Sequence, residues 1–394
     1  MSRTDFDVRI SAKELSLPAL TTAHSHAFQR GLRGRAERRG IRAERRGAAQ
    51  DDFWTWRGEM YRLAESLTPE SFYAVTLDAF RVLRSAGIYT VGEFHYVHHQ
   101  ADGTPYNERT LLSDLAIQAA KEAGIRICLL RTLYGRSRFG VAAERGQLRF
   151  CDADIDHALK DIESLQSKYA NDPMVRIGIA PHSVRAIPLA WWPAIREFVE
   201  THPSLPVHMH VAEQTREVEE CLAETGRRPV EFLDEQGLLS QRFVAVHAVD
   251  LVSEEMDRFA KAGGAVCACP TTERDLGDGL APYGLFRDRG ISICVGTDSH
   301  VVSEPLEELR SIETHERLRT KTRATFEGTP TPSHDLWRSG STVGADLCGF
   351  EGDGARVIYD RSHASIAGVE DECLLDALVF SGSSSAVLRL EPER

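Results

Sequence analysis

IRICLLRTLY, residues 125–134, is the stretch on which the fold turns. Successive side chains of a strand point to opposite faces, and Ile127, Cys128, Leu129 and Leu130 put apolar groups on both. A strand covered on both faces belongs to a parallel sheet with helices packed over it. Seven comparable runs flank it: LPALTTAH (17–24), IYTVGEF (88–94), VRIGIAPH (175–182), PVHMHVAE (206–213), FVAVHAV (243–249), AVCACP (265–270) and ISICVGTD (291–298). Stretches with helical periodicity lie between them, such as SFYAVTLDAFRVLRSAG (71–87) and TLLSDLAIQAAKEAG (110–124). Each of these two closes on a glycine able to take the left-handed C-cap conformation.

Eight strand–helix units over about 280 residues predict an α/β fold, a TIM-like (β/α)8 barrel. The competing architecture is a doubly wound open sheet. No G-x-G-x-x-G follows the first strand, however, and polar residues gather at the C-terminal ends of several strands instead. The barrel is expected over 17–334. Beyond the turn-rich TPTPSHD (329–335), GARVIYD (354–360) and CLLDALVFSGSSSAVLRL (373–390) suggest short strands. With residues 1–16, the segment 335–394 is expected to form a small, partly truncated β-sandwich unit beside the barrel.

Composition narrows the function class. Hydrophobic residues make up 42% of the 394 and charged residues 27%, the balance of a globular protein with a large buried core. A net charge of -12 argues against a nucleic-acid binder, which needs basic groups to neutralise phosphates. No apolar run approaches the ~18 residues that cross a bilayer, and MSRTDFDVRI lacks the apolar region of a secretory signal. Cytoplasmic residence without membrane partners is therefore expected. The eight cysteines are scattered and several lie in strand-like runs, so they read as reduced core residues; Cys267 and Cys269, the only close pair, read as structural. RAERRG at 35–40 and again at 42–47 is an Arg-rich tandem repeat, read as a solvated extension.

Barrel enzymes carry their chemistry at the C-terminal ends of the strands. Here those ends hold His24 and His26; Glu93, His95, Tyr96, His98 and His99; His182 and Arg185; His208, His210 and Glu213; His247; and Asp298 and His300. Histidines converging from several strands are hard to explain by packing alone. His24 and His26 share a strand face, with Ser25 pointing away. Together with His210 and Asp298 they offer three imidazoles and one carboxylate, a set suited to one divalent ion, Zn2+ first and Fe2+ as the alternative, with room for a water. His208 shares a face with His210 and can replace it; His210 is preferred because it stands nearer the mouth and Glu213 follows in the loop. A water on such an ion ionises near pH 7 and becomes a nucleophile. Glu213 can ferry its proton, and His247 can hydrogen-bond the hydroxide or the developing tetrahedral centre.

HxH on the first strand, HxxE on the fifth, His on the sixth and Asp on the eighth resemble the mononuclear amidohydrolase superfamily. Finer motifs, HSHAFQRGLRG (24–34), DDFWTWRGEMYRLA (51–64), GEFHYVHHQADGTPY (92–106), APHSVRA (180–186), HVAEQ (210–214) and CPTTERDLGDG (269–279), resemble the formimidoylglutamate deiminase family over about residues 17–340. The resemblance implies a metal, usually zinc, and hydrolysis of N-formimino-L-glutamate to N-formyl-L-glutamate and ammonia, as in histidine degradation. It places the metal on His24, His26, His210 and Asp298, and the catalytic set on Glu213, His247 and Asp298. The substrate, a small dicarboxylate amidine, would meet Gln29, Arg57, Tyr96, His182 and Arg185, the two guanidinium forks each taking a carboxylate. Arg30 is left as structural support. A related formimino or guanidino acid such as N-formimino-L-aspartate, or a catalytically silent binding protein, are the alternatives, and a homodimer is expected.

Overall fold

A computed structural model describes residues 6–35, 53–323, 331–350 and 354–392. Most of the RAERRG repeat lies outside the described residues. Two short strands, β1 (Arg9–Ile10) and β2 (Glu14–Pro18), precede the barrel. Eight parallel strands follow: β3 (Leu20–Ser25), β4 (Ile88–His95), β5 (Arg126–Leu133), β6 (Val175–Pro181), β7 (Val207–Val211), β8 (Phe243–His247), β9 (Ala265–Ala268) and β10 (Ser292–Val295). They lie side by side in chain order. The barrel closes where β3 meets the chain just beyond β10. There the Asp298 N–H donates to the His24 carbonyl (3.1 Å) and the His26 N–H to the Asp298 carbonyl (2.9 Å). The Thr297 N–H donates to Thr22 Oγ1 at 2.8 Å.

Every residue of β5 is buried, as its two-faced apolar pattern requires. Its two arginines are paired rather than expelled. Arg131 makes a two-pronged contact with Asp152 (2.6 Å at each prong) and reaches Asp161 at 2.9 Å. Arg126 donates to Thr90 Oγ1 at 2.7 Å and lies over the Phe350 ring. Breaking such a buried ion pair on one side costs about 3–5 kcal/mol, because an uncompensated charge remains inside.

The helices follow their caps. Pro69–Ser85 begins two residues before the predicted start, since Thr68 caps Ser71 and Pro69 fits the first turn. Leu111–Ala123 ends at Gly124 in the left-handed conformation, φ 74°. Among the described residues no helix is long and apolar enough to cross a membrane.

The N-terminal strands form an antiparallel sheet with β11 (Arg356–Asp360) and β12 (Val387–Glu391), in the order β1-β2-β11-β12. One expectation for this unit is corrected. The first half of 373–390 is the helix Leu374–Ser381, with Leu374, Leu378 and Val379 buried. That i, i+4, i+5 spacing is helical, and a short apolar run does not distinguish helix from strand by composition. This helix packs against the helices Pro305–Thr320 and Pro332–Arg338. The helix Pro332–Arg338 and the turns after it lie against the barrel seam: the Trp337 Nε1–H donates to the Pro18 carbonyl at 3.2 Å, and Gly344 faces Thr21. All eight cysteines are free; six are buried, Cys151 is half-buried and Cys373 is exposed, so the core assignment does not extend to Cys373.

Candidate active site

The strand period brings His24 and His26 onto the inner face while Ser25 turns outward, its Oγ donating to Glu93 Oε2 at 2.6 Å and lying 2.9 Å from His300 Nε2. Across the barrel, His210 Nε2 stands 3.2 Å from His24 Nε2 and 3.4 Å from His26 Nε2. Asp298 Oδ1 lies 3.2 Å from His24 Nε2 and 3.3 Å from His26 Nε2. Four tetrahedral ligands bound at 2.0–2.1 Å stand about 3.3 Å apart, so these edges fit a first-row divalent ion. His26 Nδ1 faces the Phe94 carbonyl (2.9 Å) and His210 Nδ1 the His182 carbonyl (3.0 Å), which turns each Nε2 lone pair toward the common point. Burial keeps the imidazoles neutral, as ligands must be: His24 falls to about 3, and His26 and His210 are also lowered. Burial pushes the other way on Asp298, but its contact with His24 and the imidazoles gathered around it hold it well below the usual carboxylate range. His208 sits deeper, with Nε2 3.3 Å from the Leu347 carbonyl, outside this set.

Beside these four stands His247, with Nε2 3.6 Å from Glu213 Oε1 and 3.8 Å from Asp298 Oδ2. Its Nδ1 faces Glu273 Oε1 at 3.4 Å. Burial alone would lower the imidazole, but Glu213, Glu273 and Asp298 outweigh it and hold His247 up at about 10. Burial raises Glu213, with His247 and Arg185 opposing. Glu273 is itself fixed by the Cys269 N–H (2.9 Å) and the Tyr283 hydroxyl (2.6 Å). Ala212, His247, Ala248, Asp298 and His300 all have positive φ without being glycine, a concentration of backbone strain at one barrel mouth. Gly296 is required here, because a Cβ on it would stand 2.6 Å from that of His24.

A narrow cleft opens above this cluster. Gln29, Arg57, Tyr96, His182 and Arg185 all line it, together with Glu213, His247 and three of the four predicted ligands, His26, His210 and Asp298; His24 lies beneath them. Arg57, on the helix Phe53–Ser66, donates to the Tyr134 hydroxyl at 2.9 Å. Arg185 is buried, with Nη1 free of any hydrogen-bond partner among the described residues. Gln29 donates to the Tyr96 hydroxyl at 2.6 Å and keeps Oε1 unpaired. Burial, then Arg185 and Arg57, hold His182 well below its ordinary value and thus neutral. Arg30 is buried and donates to Asp78 at 2.6 Å, a supporting role.

Sequence reading assigned no role to Phe53, Trp56, Tyr61, Tyr134 and Phe150, which wall the cleft, or to Glu273, which orients His247. Glu273 lies in CPTTERDLGDG, a stretch marked by resemblance but without a role that spacing could give it.

The family model for the amidohydrolase family matches residues 15–353. The chain belongs to the amidohydrolase family. This amidohydrolase is 34% identical over 387 residues to formimidoylglutamate deiminase of Pseudomonas aeruginosa, covering 94% of this chain and 82% of the relative. It is 29% identical to a 5-methylthioadenosine/S-adenosylhomocysteine deaminase of Nitratidesulfovibrio vulgaris, over 72% of this chain and 56% of that one. Among solved structures, an amidohydrolase from Brucella melitensis superposes with a TM-score of 0.84 at 31% identity, covering 96% and 90% of the two chains. An adenosine deaminase from Xanthomonas campestris with bound zinc shares the fold, with a TM-score of 0.75 at 20% identity over 96% and 79%. The protein is accordingly a hydrolase acting on a small molecule.

Proposed function

We propose that this amidohydrolase deiminates N-formimino-L-glutamate, giving N-formyl-L-glutamate and ammonia. The observation that carries the reading is the pairing of two buried arginines, Arg57 and Arg185, with the His24, His26, His210 and Asp298 cluster in a single cleft. A substrate whose α-carbon carries an amidine beside one carboxylate, with a second carboxylate on its side chain, fits two guanidinium groups set near that cluster. His24, His26, His210 and Asp298 would hold one divalent ion, zinc in first place and Fe2+ second. When bound, it supplies Lewis acidity and acidifies water enough to give a nucleophile at neutral pH.

The remaining steps belong to the chain. Arg57 and Arg185 each take a carboxylate, and Gln29, Tyr96 and His182 orient that end of the molecule with neutral hydrogen-bonding groups. Glu213 accepts a proton from the attacking water and delivers it to the departing nitrogen. His247 donates a hydrogen bond to the attacking oxygen, held in place by Glu273. Asp298 is both a ligand and, through Oδ2, a partner of His247. The aromatic walls exclude bulk water from the reacting end.

The formylated dicarboxylate and ammonia are the products to measure. Ammonia release from N-formimino-L-glutamate by metal-loaded protein tests the reading, with N-formimino-L-aspartate alongside. Faster turnover of the aspartate compound reassigns the substrate; no release from either favours a silent binding protein. Cytoplasmic homodimers are the expected assembly, to be checked by light scattering.

A further inference from the structure

We infer that Asp278 is a further substrate-recognition residue that, with Glu213, brackets the terminal nitrogen of a cationic amidine, each carboxylate accepting one of its N–H groups. The inference rests on the amidine reading above and adds to it a residue to which neither spacing nor resemblance gave a role.

Asp278 is presented by the turn that ends the helix Pro270–Leu276. Gly277 takes φ 73° and Gly279 φ 128°, and the Asp278 N–H donates to the Glu273 carbonyl at 2.9 Å. The carboxylate is then oriented from one side only, by a hydrogen bond from the Gln214 side chain to Oδ1. Oδ2 is buried and has no partner among the described residues. Carboxylate oxygens of Glu213 and Asp278 and a ring nitrogen of His247 all lie within 4.8 Å of one another. An NH2 group that donates to two oxygens at ordinary hydrogen-bond length holds them about 5 Å apart. Glu213 and Asp278 approach closely enough for one NH2 group to reach both.

Charge points the same way. Glu213, Glu273, Asp278 and Asp298 surround His247. An amidinium is the kind of cationic group that such a set of carboxylates attracts. Burial and the neighbouring Glu213 outweigh His247 and push the Asp278 carboxyl up to about 9. A buried carboxylate oxygen left unpaired is costly, and a cationic N–H supplies what the protein withholds. The chemistry balances: the amidinium and one water give the formamide and ammonium, the water oxygen bonding to carbon as the bond to the terminal nitrogen breaks. Glu213 moves the proton; Asp278 holds the nitrogen through attack and departure without itself transferring a proton.

The test uses full-length, metal-loaded protein and the variants Asp278→Asn and Asp278→Glu, with metal content measured on each. For Asp278→Asn, kcat/KM on N-formimino-L-glutamate is expected to fall about 100-fold. Inhibition by N-formyl-L-glutamate, which keeps both carboxylates and carries a neutral formyl group, should stay within about threefold, and Asp278→Glu should recover part of the loss. A kcat/KM within threefold of the parent overturns the inference. So does an equal loss for both ligands, which marks a structural role. If Asp278→Asn does not fold, Asp278→Glu is judged by the same ratio. Failure of the parental protein to release ammonia counts against the substrate reading alone. Asp278 is then read from inhibitor-free binding of the formamidinium ion against formamide, where only the cation should lose affinity in the variant.

Discussion

The two sides of the cleft are built by different means. On the candidate metal side, the proposed ligands and His247 are fixed by backbone: His24 by β3, His26 immediately after it, His210 by β7, and His247 and Asp298 by positive-φ positions at strand ends. Hydrogen bonds between the His24, His26 and Asp298 main chains also close the barrel, so the fold and this side share one seam. The carboxylate side instead hangs on the helix Phe53–Ser66 and on loops, with Arg57 and Arg185 placed by side-chain contacts to Tyr134 and Phe53. Strand-borne groups can move little without opening the barrel, whereas loop- and helix-borne groups can be exchanged while the barrel stands. Chemistry is therefore expected to fail on one side and selectivity to shift on the other.

The largest break is on the seam. His24→Ala or Asp298→Ala should remove the ion and lower turnover by about 10^4-fold or more, as read by metal analysis beside the ammonia assay. Glu213→Gln separates chemistry from metal binding. It should keep the ion and lose on the order of 10^3-fold in kcat, and parental turnover in that variant contradicts the proton-transfer role. Arg57→Met and Arg185→Met probe the other side. Each should keep the ion and raise KM about 100-fold, with little change in kcat if its carboxylate is held equally before and during reaction. Equal loss of metal in the arginine variants would erase the distinction between the two sides.

The smallest effect lies beneath the metal side. Glu308 is buried and accepts hydrogen bonds from the Thr271 N–H (3.1 Å) and hydroxyl, and burial pushes its carboxyl up to about 8. The folded chain thus keeps a proton that the unfolded chain has already lost above the ordinary carboxyl value. Its contribution to stability falls as pH rises from about 4.5 to 8, by at most ~1.4 kcal/mol per pH unit. Glu308→Gln should flatten that slope, as measured by denaturant unfolding at pH 5 and pH 8.

How much of this was legible in the sequence follows from the same contrast. Strands buried on both faces announce themselves as continuous apolar runs, and a polar residue at the end of such a run stands out; the eight strands and the His24, His26, His210 and Asp298 grouping were readable for that reason. Choosing His210 over His208 needed only the depth of each along β7. Glu273 and Asp278 were not readable, because they reach the centre from a short helix and a glycine turn whose direction no periodicity encodes. The helix Leu374–Ser381 was misread because its apolar run is too short to separate a period of two from one of 3.6.

One measurement bears most directly on the whole account: the position of the ion, by anomalous scattering, in crystals of the zinc-loaded protein. The account predicts a single ion about 2.0–2.2 Å from Nε2 of His24, His26 and His210 and from Oδ1 of Asp298. An ion seated elsewhere, or these four side chains facing apart in the metal-loaded protein, would contradict it.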